Sequence, residues 1–109
     1  MNVMVITSSG ELCRMIQKGV CMVDFHAPWC APCKAQEPII QNLAREFNGR
    51  ATVLTMNTDD HQDVAAALKI EHIPTLIIFH KGREVMRLWG LQPEEALSEA
   101  LDRVLKHKV

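Results

Sequence analysis

At 109 residues the chain has room for one compact domain and no second one, so a single domain over residues 1–109 is expected. Hydrophobic residues at 48% and charged residues at 23% match an ordinary globular chain and exclude a disordered, collagenous or coiled-coil architecture. Twelve Lys and Arg against thirteen Asp and Glu leave a net charge of −1, and aromatic residues are only 5%, so there is no cationic footprint or stacking platform for nucleic acid.

Residues 3–6 form a short apolar run of strand type. Ser8 and Glu11 then stand at capping-box spacing, and Leu12, Met15 and Ile16 repeat at helical intervals up to Gly19, a stop signal. Val20–His26 is dense in apolar and β-branched residues and reads as a buried strand. Asp24 is discordant there, because a carboxylate in a central strand is costly unless it is hydrogen-bonded or protonated. Over residues 31–47, Ile39, Ile40, Leu43 and Phe47 share one helical face, with Gln36, Glu37, Gln41 and Arg45 assigned to the polar face. Pro38 falls inside this helix and predicts a kink about two turns in.

Residues 51–57 follow as a third strand. Asp59 or Asp60 can cap the next helix, which buries Val64 and Leu68 and should stop before Pro74. Thr75–His80 and Arg83–Trp89 are strand-like runs joined by Lys81-Gly82, a link of hairpin length, so they should be antiparallel. Last comes a helix with Pro93 at its first position, Glu94 and Glu95 in the opening turn, a stripe of Leu97, Leu101, Val104 and Leu105, and Lys106 and Lys108 at the end. The order βαβαβαββα predicts an α/β fold: a central mixed sheet of about five strands flanked by about four helices.

Of four cysteines, at 13, 21, 30 and 33, only the last two have a recognisable spacing. In Trp29-Cys30-Ala31-Pro32-Cys33-Lys34 the first sulfur falls between a buried strand and the first turn of a helix. Unpaired amides and the positive end of the helix dipole there favour a thiolate, so Cys30 should be the nucleophile. Cys33, about one turn deeper on the same side and with poorer solvent access, should resolve the mixed disulfide. Pro32 suits the first turn because the donor it lacks is one the helix leaves unpaired.

Val23-Asp24-Phe25, the Trp29 to Lys34 run, Pro38, Ile73-Pro74-Thr75 and Gly90 together resemble the thioredoxin family over nearly the whole chain. The resemblance implies a thioredoxin fold and dithiol-disulfide exchange with protein substrates, re-reduced by a thioredoxin-reductase-type partner, flavin-type or iron-sulfur-type. It also implies a buried acid at Asp24 near the second cysteine, a cis Pro74, and a substrate-contacting groove at Trp29 and Gly90. Elementary chemistry agrees with these roles. A cis bond would leave the backbone of Ile73 free to pair with an extended substrate, and burial would raise the Asp24 pKa so that it could accept a proton from Cys33.

Three departures from the family pattern bear on tuning. Ala31 replaces a usual glycine and no histidine lies between the cysteines, which favours a reductant over an oxidant or isomerase. His26 stands where an aromatic residue is usual, and Thr55 where a lysine is common. His26 shares a strand face with Asp24, so it is expected either to titrate near the dithiol or simply to pack, solvated, at the strand end.

Rival readings are half of a zinc site at Cys30 and Cys33, or a scaffold module whose redox chemistry is incidental. Cys21 reads as core, and Cys13 as core or as a regulatory thiol. No cofactor or metal is called for. The longest apolar runs, such as residues 76–79, are far short of the roughly 20 residues a spanning helix needs. Residues 1–6 are too short for a secretory signal, and the first cation is Arg14. The expectation is a cytoplasmic monomer in electron transport and cell redox homeostasis, without membrane or nucleic-acid partners.

Overall fold

A computed structural model describes residues 3–107. Its elements are β1 (Met4–Ile6), α1 (Ser9–Ile16), β2 (Val20–His26), α2 (Ala31–Glu46), β3 (Thr52–Asn57), α3 (Gln62–Ala67), β4 (Thr75–His80), β5 (Arg83–Trp89) and α4 (Glu94–Lys106). The expected order holds throughout, with shifts of a residue or so at most element ends; α3 is shorter than expected and ends at Ala67, well before Pro74, and Lys108 lies outside the described residues. Among the described residues no helix is long and apolar enough to cross a membrane.

The five strands lie in the order β1-β3-β2-β4-β5. β3 runs parallel to both β1 and β2, while β4 is antiparallel to β2 and to β5. β2 is thus central, and its side chains alternate between two cores. Val20 and Met22 join Ile40, Leu43, Phe47, Leu97 and Leu101 on the side of α2 and α4. Cys21, Val23 and Phe25 join Leu12, Leu54 and Val64 on the side of α1 and α3. Helices cover both faces, and by this alternation Asp24 and His26 belong to the α2 face.

Local chemistry sets the element ends. Ser8 caps α1 by accepting from the Glu11 amide at 3.0 Å, but Glu11 returns its carboxylate to the Thr7 amide at 2.9 Å, one residue earlier than a strict capping box. The Lys81-Gly82 turn has positive φ at both positions, +52° and +87°, as a tight two-residue hairpin requires. Its tip is fixed by Lys81 N–H donating to Gly19 O and Gly82 N–H to Ile16 O.

Three expectations need correction. Neither Asp59 nor Asp60 caps α3: the N-cap is His61, which makes no side-chain cap bond, and Asp59 instead accepts from Trp29. Pro93 is the N-cap of α4 rather than its first residue, because its ψ of 156° is extended. Gln36 is fully buried rather than on a polar face. Its amide oxygen accepts from Gln92 N–H at 2.8 Å and its amide nitrogen donates to Gln92 O at 3.0 Å, so a buried polar side chain is satisfied by backbone. α2 continues helical through Pro38.

Candidate active site

The polypeptide leaves β2 at His26 and enters α2 at Ala31, which places Cys30 as the N-cap. Its backbone is extended (φ −93°, ψ 111°), and its sulfur takes the part a capping oxygen usually plays, with Cys33 N–H directed at Sγ from 3.2 Å. Pro32, in the first turn, withholds no needed donor. Cys33 lies one turn on, 5.2 Å away between Cα atoms, and the structure holds the pair as a disulfide.

Access does not separate the two cysteines as expected. Both residues are almost covered, at 4% and 3% exposure, because they pack with Ala27 and Ile73 in a small apolar cluster. The sulfurs differ in setting instead: Cys30 sits at the helix end with an amide aimed at it, and its Sγ lies 3.8 Å from Ile73 O. Trp29 beside it is 70% exposed, and its indole N–H donates to Asp59 at 2.8 Å. Ala31 is also exposed.

The Ile73-Pro74 bond is cis. Gly90 N–H donates to Pro74 O at 2.8 Å, which ties the end of β5 to this turn, and Thr75 Oγ1 donates to His72 O. Gly90 has φ +78°, while a Cβ there would meet nothing within 4 Å, so glycine serves the backbone conformation and not a close approach. Trp29, Trp89 and Leu91 are the large apolar side chains exposed around these segments.

Asp24 is buried, and its Oδ1 has no hydrogen-bond partner. Burial, with the Glu37 carboxylate adding to it, pushes its pKa up to about 7. Thr55 is its register partner on β3 but donates to Asp24 O, the backbone carbonyl, at 3.3 Å. His26 is half-buried; desolvation lowers its pKa and Glu37 opposes that. Helical spacing gives Glu37 a place on the polar face of α2 and no role, and nothing in that spacing alone ties it to Asp24.

Cys21 is buried in the core, which pushes its thiol up to about 12, whereas Cys13 is exposed. Among the described residues no group of three or more His, Cys, Asp and Glu is placed to hold a metal ion.

Comparison with known proteins decides the family, since the thioredoxin family model matches residues 3–103. The chain belongs to the thioredoxin family. Thioredoxins of Staphylococcus haemolyticus and Staphylococcus aureus are 43% and 41% identical to it over 90 residues, 83% of this chain and 86% of theirs. The structure of a mutant thioredoxin from Halobacterium salinarum superposes with a TM-score of 0.87 at 31% identity, covering 94% of this chain and 89% of that one. A Malassezia sympodialis thioredoxin gives 0.88 at 24% identity over 95% of this chain and 91% of that one, a likeness of fold. With a CxxC pair closed into a disulfide at the head of α2, this member of the thioredoxin family is a thiol-disulfide oxidoreductase of the protein-disulfide reductase type.

Proposed function

We propose that this single-domain protein reduces disulfides in partner proteins through Cys30 and Cys33 and is itself re-reduced by a thioredoxin-reductase-type enzyme. The observation that carries the reading is the position of Cys30 at the α2 N-cap, with the Cys33 amide 3.2 Å from its sulfur. An amide hydrogen and the helix dipole both stabilise sulfur as an anion, and the thiolate is the attacking species.

In the reduced protein the Cys30 thiolate attacks one sulfur of the substrate disulfide. The S–S bond breaks, the first substrate thiolate leaves, and a mixed disulfide joins Cys30 to the substrate. Cys33 then gives its proton to the Asp24 carboxylate and attacks Cys30 Sγ, expelling the second substrate thiolate and closing the 30–33 disulfide. Two electrons pass from the dithiol to the substrate.

In this reading Trp29, Pro74 and Gly90 form the contact surface and the Ile73 backbone pairs with an extended substrate, which the 3.8 Å between Ile73 O and Cys30 Sγ supports. Ala31 and Pro32 stiffen the first turn, and His26 tunes the site. The protein works as a cytoplasmic monomer in electron transport and redox homeostasis.

Insulin reduction with dithiothreitol as electron source tests the reading. Cys30→Ser should abolish turnover and Cys33→Ser should accumulate a substrate adduct. Turnover by Cys30→Ser at the wild-type rate would remove Cys30 from the chemistry, and a Cys30→Ser protein that loses turnover but keeps its cellular role would leave only a scaffold role.

A further inference from the structure

Two hollows flank the end of β2 that carries the active site. One, of about 640 Å3, opens over Asp24 and is walled by His26, Glu37 and Thr55. The other, of about 380 Å3, lies behind Cys33, between Ala27, Pro28 and Lys34. His26 from β2 and Glu37 from α2 line both, so they form the wall between the space over the buried acid and the space behind the second cysteine.

The other charged or titratable groups facing these spaces are Asp60 and His61, after β3, and Lys34 on α2; β1 and β3 present none. Asp24 Oδ1 is unpartnered, and the Glu37 carboxylate acts on Asp24 and His26 alike, favouring the protonated form of each.

From this shared wall we propose that Glu37 is a positioning residue for proton transfer, acting with His26 at the junction through which the proton taken from Cys33 passes from Asp24 to solvent. The proposal rests on Asp24 being the proton acceptor. In the resolving step the Cys33 S–H bond breaks, its proton goes to the Asp24 carboxylate, and the S–S bond to the substrate breaks as the 30–33 bond forms. The Asp24 proton then passes to water in the hollow walled by His26 and Glu37 and so to solvent, which restores the carboxylate. The substrate thiolate takes its own proton from solvent.

Reaction of the reduced protein with dithiobis(nitrobenzoate), in a Cys13→Ser background that removes the exposed thiol, separates the steps. The first thionitrobenzoate released reports Cys30 attack, and the second reports Cys33 attack on the mixed disulfide. Glu37→Gln should shift the acid limb of the second phase to lower pH by about half a unit, a roughly threefold faster second phase well below the midpoint. Glu37→Lys should shift it further, and Glu37→Asp should restore the wild-type midpoint. An intact first phase shows that each variant is folded. A second-phase midpoint unmoved in both Glu37→Gln and Glu37→Lys overturns the proposal. Asp24→Asn, run in parallel, should remove the acid limb. If it does while the Glu37 variants stay unmoved, only the role of Glu37 falls; if the limb survives Asp24→Asn, the reading of Asp24 falls and the proposal with it.

Discussion

Asp24 is a residue whose cost to the fold depends on pH. Its pKa is near 7 in the folded chain and 3.8 in its ordinary setting, so from about pH 4 to 7 the folded state holds a proton that the unfolded state has released. Stability therefore declines as pH rises through that window, by about 4 kcal/mol in all if the whole shift is realised, and levels off above pH 7. Urea unfolding of the oxidised protein should show this decline relative to Asp24→Asn, and a wild-type-minus-variant difference that stays constant from pH 4 to 8 would contradict it. Asp24 is conspicuous in the sequence because a lone carboxylate interrupts a dense apolar run. Gln36 misleads for the opposite reason. Its polarity suggests solvent, yet Cys33, Gln36, Ile40, Leu43 and Phe47 recur at steps of three and four, and that spacing already puts it on the buried stripe.

Among the elements, α2 does most to assemble the site. Its N-terminus holds Cys30, its second turn presents Glu37, and Gln36 makes two bonds to Gln92 in the link between β5 and α4. Gln36→Ala would leave both Gln92 backbone groups unpaired beside a cavity, and a loss of roughly 2–4 kcal/mol is expected in denaturant unfolding. A loss under about half a kcal/mol would mean that water replaces the amide. At Gly90 the positive φ predicts that Gly90→Ala costs about 1 kcal/mol without any steric clash, readable in the same assay. Strand and helix identities are legible in the sequence because apolar periodicity distinguishes them, but caps are less so. Asp59 has the right chemistry for capping α3, and Trp29, 30 residues away in sequence, takes its carboxylate instead. A long-range partner of this kind leaves no mark in local spacing.

Over the whole molecule, the sheet order places β2 between β3 and β4, so a strand buried up to its last residue, His26, leads directly to the helix end that holds Cys30. Connections of the βαβ type make that architecture readable, while the junction of Asp24, His26 and Glu37 depends on how β2 and α2 lie across each other and emerges only in three dimensions. Burial also divides the remaining thiols. Oxidised native protein should take up one equivalent of iodoacetamide, at exposed Cys13, and a second, at Cys21, only on unfolding; native labelling of Cys21 would show that the α1 and α3 face opens. The central claim is that the sulfur at the head of α2 is the one that attacks. Brief alkylation of the reduced native protein at pH 7, with each cysteine quantified by peptide mass spectrometry, tests it most directly. Cys30 should be modified at least tenfold faster than Cys33, and equal labelling of the pair, or faster labelling of Cys33, would contradict it.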